Sequence, residues 1–384
     1  MSITGFFDVG YQAKTHTDDT KSWTGLASNG RDTSRLDFQG TEDLGGGLKA
    51  SFWGELDINP VQSSTQNAAN TNDGSVFTGT PFTGQQFVGI ESGFGSLKLG
   101  SPNSPVMTVF SANAQPFGTA LGSGYSSGFG RFGTSATAGI NQYVGNATTA
   151  RIVRHEKTAL FTTPTVGGFT GYVEYSFKND KATGSVTGGN GSASTIYAGN
   201  DNGYQSVTVG YANGPLNAAL FSAKSSSGAN AAAGAYATQG TYVANGLGTN
   251  KDVTVSGGSA NYTMGATTVY AGYSKTSSSD TALEDSKSSN IAVKYALNGS
   301  VDLMANALTR TSNLAAQATQ PKAKSMAFGA DYKLSKNTIA YYRYEKLSGL
   351  NTASAAAAGA NTAAVTARWN DTQTTNMIGL RMGF

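Results

Sequence analysis

The chain contains no cysteine, so neither a disulfide framework nor a thiolate metal site can be built. Proline is scarce, at 8 residues in 384, and charged residues reach 13 %, about half the share of an ordinary soluble domain. The formal net charge is only +3, and no basic run is interleaved with aromatics. A nucleic-acid partner is therefore not expected. No stretch of eighteen apolar residues occurs, which excludes a transmembrane helix. A secretory leader is missing too. "MSITGFFDVGYQ" enters strand-like alternation at once, and the expectation is that Met1 stands where an export signal was removed. No carboxylate spacing supports a divalent-ion site, and no cofactor motif is found.

What the chain has in quantity is glycine, 50 residues, together with 18 Tyr and 18 Phe. Gly, Ser, Thr and Asn all weaken helices and favour turns, so the composition suits an all-β chain. The stretch "SRLDFQGTEDLGGGLKASFWGELDIN" shows how the strands are written. Leu36, Phe38 and Gly40 alternate with Arg35, Asp37 and Gln39. After the glycine turn, Leu48, Ala50, Phe52 and Leu56 alternate with Lys49, Ser51, Trp53, Glu55 and Asp57. The same period of two returns along the whole length. It predicts sixteen strands, the second at 31–41, the sixth at 151–163 and the last at 373–384. Short turns such as "NGPL", "TMGA" and "LSKN" alternate with long polar connections. An even strand number with alternating short and long connections is the signature of an outer-membrane barrel. The expected fold is thus all-β, one domain over residues 1–384: a sixteen-stranded antiparallel transmembrane β-barrel with short periplasmic turns and long extracellular loops. Its apolar faces meet lipid and its polar faces meet water in the lumen. A bore of sixteen strands is too wide for side chains to fill. The competing all-β reading is a large soluble sandwich or β-helix of adhesin type.

Five segments carry a resemblance: "SRLDFQGTEDLGGGLKASFWGELD", "QQFVGIESGFGSLKLG", "PTVGGFTGYVEYSF", "YKLSKNTIAYYRYEK" and the terminal "GLRMGF". In this order they resemble general porins of Gram-negative bacteria, especially the β-proteobacterial branch. The resemblance implies a homotrimer in the outer membrane. It also implies a third loop, here residues 101–150, folded into the bore as a constriction. Two departures stand out. Where the family commonly has Arg after "KLG", this chain has Ser101. Residues 101–150 contain a single charged residue, Arg131, and are rich in small residues and aromatics such as Phe110 and Phe117.

A pore selects by width and by fixed charge rather than by chemistry. Parity places Arg31, Arg35, Lys49, Glu55, Asp57, Lys98, Arg343 and Arg381 on the lumen side, with Lys294, Asp37 and Asp331. Glu55 is expected to pair with Arg35 or Lys49. Arg154 matches a basic position in the family's sixth strand. Arg35 and Arg131 are the leading candidates for the constriction, one on the wall and one in the loop. Cations outnumber acids in this set, so the expected function is passive diffusion of small hydrophilic solutes and ions with a weak preference for anions. Two other functions are weighed. An uncharged, aromatic loop suits a channel specific for sugars or small organic acids. A barrel hydrolase would need a nucleophile near His16 or His155, and neither shows that spacing. No catalytic residue, metal or cofactor is expected.

Overall fold

The strand Asp285–Ala296 shows the rule on which the fold is built. Asn290 is 8 % exposed, while its neighbour Ile291 is 68 % exposed. Ser286, Ser288 and Ala292 are buried with Asn290, and Val293 and Tyr295 are exposed with Ile291. This reverses the polarity of a soluble sheet, whose apolar face looks inward. The soluble sandwich is thereby set aside.

The computed structural model describes residues 1–16, 23–58, 60–61, 84–118, 120–123, 154–155, 157–177, 185–187, 193–195, 203–226, 252–279, 285–313, 322–350 and 371–384. The first half of the wall comprises β1 (Ser2–His16), β2 (Trp23–Ser28), β3 (Arg35–Gly45), β4 (Leu48–Asp57), β5 (Gln86–Ser92), β6 (Gly95–Ser101), β7 (Thr158–Thr162) and β8 (Phe169–Ser176). A separate two-stranded hairpin follows, β9 (Ser185–Thr187) and β10 (Ala193–Thr195). The second half is β11 (Gly203–Asn213), β12 (Leu216–Ser226), β13 (Asp252–Met264), β14 (Thr267–Ser278), β15 (Asp285–Ala296), β16 (Val301–Asn313), β17 (Lys322–Lys333), β18 (Thr338–Leu350) and β19 (Asp371–Gly383).

β1 pairs antiparallel with both β2 and β3, each later wall strand pairs antiparallel with the next, β8 pairs with β11, and β19 returns to β1. Phe384 seals the seam: its N–H donates to the Gly5 carbonyl at 3.0 Å, and its own carbonyl accepts from Gly5. Closure leaves no unpaired edge, as a sheet in hydrocarbon requires. β2 and β3 both lie against β1, Trp23 to Ser28 on its upper part and Arg35 to Gln39 on its lower part. They are two halves of one wall strand, which makes the barrel sixteen-stranded. The turn after β3 is held by Gly45, Gly46 and Gly47, with φ of 83°, 62° and 81°, a region that other residues enter only with strain.

Two expected strands differ from those observed. The second was expected at 31–41; it starts at Trp23, leaves the sheet at Asn29 and rejoins it at Arg35. The sixth was expected at 151–163; it covers only Thr158–Thr162, with Arg154 linked to Asn103 by an isolated bridge. In both places side-chain anchors in the lumen draw the backbone off the ladder.

The long strands β13 to β19 have twelve or thirteen residues, roughly 40 Å at about 3.3 Å per residue. Tilted, they cross a hydrocarbon layer of about 30 Å. Tyr175, Phe177, Tyr342 and Phe384 point outward and are exposed, as expected for interfacial girdles. The residues described on the outer face give a direct test. Phe328→Arg and Val209→Arg should each cost about 2–4 kcal/mol of folding stability in a bilayer. Ser51→Arg, on the lumen side, should cost much less. Urea unfolding in lipid vesicles measures the difference; equal losses at the three positions would refute the assigned facing.

Candidate pore lining and constriction

The interruption between β2 and β3 is the first functional feature of the lumen. Residues 29–34 leave the wall, and a fully buried carboxylate, Asp8 on β1, holds them. Its oxygens accept the backbone N–H of Arg31 at 2.7 Å, that of Asp32 at 2.6 Å and the Tyr341 hydroxyl at 2.5 Å. Ser34 adds a further tie, its Oγ accepting the Asp8 N–H at 2.9 Å. Gly30 is pressed against side chains of the nearby strands β18 and β19. A Cβ there would lie 2.4 Å from Met377 Sδ and 2.5 Å from Tyr341 Oη, so no larger residue fits without displacing them.

The excursion delivers Arg31 and Asp32 into a continuous charged belt. Arg343 Nη2 lies 2.7 Å from Asp331, and Arg31 Nε lies 3.0 Å from the other oxygen of the same carboxylate. Arg31 also binds Asp32, and Arg381 reaches Asp32 at 3.3 Å. Arg35 Nε lies 3.0 Å from Asp37 and its Nη1 3.9 Å from Glu55. Arg154 stands 4.0 Å from Glu55 and 3.9 Å from Asp57. It donates to Asn103 Oδ1 at 2.9 Å, which ties the belt to the start of the third loop. Arg35 and Arg381 flank the ring of Phe6, at 5.0 and 4.1 Å from its centre, so each guanidinium is backed by an aromatic face.

The described part of the loop, 102–118 and 120–123, lines the opposite wall. A π-helical turn, Val106–Ser111, runs into Ala112–Ala114. Wall side chains hold its backbone: Ser259 donates to the Phe110 carbonyl at 2.8 Å, Asn290 to that of Ala114 at 2.6 Å and Asn306 to that of Gly122 at 3.1 Å. Phe110 packs on Phe221, Phe117 on Met304 and Ala327, and Leu121 on Tyr341 and Met377. The wall makes room with glycine. A Cβ on Gly272 would sit 2.9 Å from Ala114 Cβ, and one on Gly329 would sit 2.7 Å from Phe117.

The base of the loop is pinned by a buried set. Glu174 accepts Ser104 Oγ at 2.8 Å and Ser206 Oγ at 3.0 Å, and His155 Nδ1 lies 3.3 Å away. The His155 ring stacks on Tyr204 at 3.4 Å. Serine, histidine and carboxylate meet here, yet the carboxylate lies between the other two. A hydrolytic triad needs histidine against the serine. Ser104, His155 and Glu174 are also fully buried.

The comparisons with known proteins agree with this architecture. The family model described as Gram-negative porin matches residues 1–352. The chain belongs to the Gram-negative porin family. It is 28 % identical over 267 residues to outer membrane porin protein 32 of Delftia acidovorans, covering 68 % of this chain and 60 % of that protein. It is 30 % identical over 226 residues to an outer membrane porin protein of Bordetella pertussis, covering 56 % of this chain and 50 % of that protein. The chain thus spans between half and two thirds of these relatives' lengths. Its fold is similar to that of an anion-selective porin from Comamonas acidovorans, with a TM-score of 0.68 and 22 % identity over 100 % of this chain and 99 % of that one. A trimer form of OmpT from Vibrio cholerae gives 0.61 at 12 % identity, over 100 % and 99 %. The porin's place is the outer membrane.

Of the residues singled out from sequence, Arg31, Arg35, Glu55, Asp57, Arg154, Arg343 and Arg381 all meet in the porin's belt, with Asp37 and Asp331. Glu55 has Arg35 rather than Lys49 as its partner. Lys49 is exposed near the short-turn rim, opposite Asp43 and Glu91 in the register. Lys98 covers the Phe87 ring at 4.5 Å, apart from the belt. Lys294 shares Asp302 with Lys333. Arg131 lies outside the described residues. Asp37, expected in open lumen water, is buried beneath Arg35. Asp8, Asp32 and Glu174 were missed. Asp8 was legible, since it shares parity with Phe6, Gly10 and Gln12 on an alternating strand; Asp32 was hidden by reading 31–41 as regular strand. Removing the anchor tests its weight. Asp8→Ala strands two backbone N–H groups and a tyrosine hydroxyl, and should lower barrel stability by about 2–3 kcal/mol. Asp8→Asn, which keeps one acceptor oxygen, should lose less. The urea midpoint of the refolded protein reports both.

Proposed function

We propose that the porin forms a water-filled channel for passive diffusion of small hydrophilic solutes and ions, with a weak preference for anions. One observation carries the reading: the depth at which each sign of charge lies. Among the described residues the belt holds five arginines and five carboxylates, so a plain count gives no anion preference. The surface presented to water is different. The side chain of Arg35 is 32 % exposed, against 5 % for Asp37 and 4 % for Glu55. Arg31 is 24 % exposed, against 7 % for Asp331. The same layering recurs where Lys294 and Lys333 cover a buried Asp302. Asp32 and Asp57 are the belt acids that reach the lumen. Four belt arginines, Arg31, Arg35, Arg154 and Arg381, thus reach the lumen against those two acids, and fixed positive charge concentrates anions in a narrow passage. Screening within about 8–10 Å keeps the effect modest. Arg131, the single charge of the loop, is proposed as the cation facing this wall. The similar porin from Comamonas acidovorans is described as anion-selective, which supports the reading.

A channel specific for sugars or small organic acids would use the loop's aromatics as a slide. Phe110 and Phe117 are instead buried against the wall, which favours the general pore. No catalytic role is proposed.

The assembly proposed is a homotrimer. β5, β6 and β7 have seven, seven and five residues, whereas a strand crossing the hydrocarbon needs about 9–11. This low wall carries an open apolar groove of about 510 Å³, lined outward by Phe52, Val88, Ile90, Leu97 and Leu99. A second copy covers both defects. Val88→Arg with Leu99→Arg should shift unheated electrophoresis in mild detergent from a heat-labile oligomer to the 39.4 kDa monomer. A monomeric native protein would sink the trimer.

Selectivity is tested in planar bilayers. Arg35→Gln with Arg381→Gln removes two exposed cations and leaves their acids in place. The reversal potential in a salt gradient should move toward cation preference with conductance retained. A native channel that already favours cations, or an unmoved potential, would defeat the proposal.

A further inference from the structure

Three parts of the lumen converge on one side chain. Tyr341, on β18, is 3 % exposed. Gly379 stands directly opposite it in the ladder, and Gly10 stands opposite Gly379. Neither glycine projects a side chain, so a trough runs from β18 across β19 to β1. A Cβ on Gly379 would overlap the tyrosine hydroxyl. Through this trough the hydroxyl reaches Asp8 and donates to Oδ1 at 2.5 Å. The other carboxylate oxygen, Oδ2, accepts the backbone N–H groups of Arg31 and Asp32. The phenol and the excursion 29–34 therefore share one carboxylate, each with its own oxygen.

The ring of the same tyrosine meets the other two parts. Leu121, from the third loop, packs on it together with Met377, and Ala27, near the end of β2, packs against the group. Met377 also meets the excursion, since a Cβ on Gly30 would sit 2.8 Å from its Cε. On the belt side the ring centre lies 5.2 Å from the Arg343 guanidinium carbon. The contacts close on themselves. Tyr341 binds Asp8, Asp8 holds Arg31, Arg31 and Arg343 share Asp331, and Arg343 returns to Tyr341. Energetic coupling travels through contiguous packing and hydrogen bonds of this kind.

The excursion and the third loop come from distant parts of the chain, yet Tyr341 stands between them. We infer that Tyr341 is a positioning residue that couples the two, so that a shift of the loop is passed on to Arg31 and Asp32. The hydroxyl is the transmitting group, because a buried carboxylate oxygen that loses its donor carries the full cost of desolvation. Phenylalanine at this position would keep the packing on Leu121 and leave Asp8 Oδ1 without that donor. Leu121 itself has no charge. Only Tyr341 and Asp8 stand between it and the Arg31 backbone, so an apolar contact of the loop bears on the charge geometry of the belt. The inference rests on the channel reading only where selectivity is the quantity measured.

Leu121→Ala and Tyr341→Phe, made singly and together in the full-length protein, test the coupling. Planar bilayers give the reversal potential in a salt gradient. Leu121→Ala should change the ratio of anion to cation permeability by about twofold, the lower end of coupling between residues in contact. In the Tyr341→Phe background the same substitution should leave the ratio where Tyr341→Phe alone sets it. A merely structural role would not give this pattern, since both backgrounds lose the same leucine side chain. An unmoved potential in Leu121→Ala, or an equal shift in both backgrounds, would overturn the inference. Amide hydrogen exchange of the protein in detergent, read by mass spectrometry, needs neither conduction nor the Tyr341→Phe variant. Leu121→Ala should speed exchange at Arg31 and Asp32, whose N–H groups Asp8 holds. Exchange at residues 216–218, beside the short turn between β11 and β12, should stay as it was. Unchanged exchange at Arg31 and Asp32 would overturn the coupling. A protein that does not conduct, but whose two amides respond, would defeat the channel reading and uphold the coupling.

Discussion

Hydrocarbon offers no hydrogen-bond partner to a peptide group, and the rest of this structure follows from that constraint. Every N–H and C=O at membrane depth has to be paired within the protein, so the sheet closes on itself through β1 and β19. Closure at sixteen strands makes a bore that the inward side chains cannot fill. Those side chains then face water, and the apolar ones face lipid. The alternation of Asn290 with Ile291 is a consequence of the backbone's demand, not an independent design.

An open bore of this width has little power to discriminate. The porin narrows it in two ways, each built from the chain's own polar groups. On one side, Asp8 draws residues 29–34 out of the wall and so brings Arg31 and Asp32 into the belt. On the other, serine and asparagine side chains of β13, β15 and β16 capture backbone carbonyls of the third loop. Both devices depend on close approach, which glycine permits at 30, 272 and 329. The two sides meet where Phe117 lies beneath the Arg343 guanidinium, 5.6 Å from ring centre to carbon. Arg343 is buried and bound to Asp331, so it fixes the loop to the belt instead of offering charge to the lumen.

The outer surface follows the same logic with different partners. Apolar and aromatic residues cover most of it, the wall of β5 to β7 is low, and lysines gather at one rim of β14 to β18. Inside, Asp37, Glu55 and Asp331 lie beneath arginines, whereas Asp32 and Asp57 are more exposed than the arginines that bind them.

Much of this was legible in the amino-acid order. Period-two alternation, glycine turns and alternating connection lengths are local properties, and they determined the strand number and the facing of Phe52, Ile291 and Phe328. What they could not reach was any feature made by residues far apart in the chain. Asp8 and Tyr341 are 333 positions apart, and Glu174 joins Ser104, His155 and Ser206 from three separate elements. Parity places a side chain on a face but says nothing of depth along it. It therefore counted Arg35, Asp37, Lys49 and Lys98 alike, although the fold joins the first two in a belt, leaves Lys49 at the rim and sets Lys98 on an aromatic ring. The sequence by itself determined which way each residue points, because a strand has only two faces. Tertiary structure decided which charges meet and which reach water, because closing the barrel is what brings distant strands together.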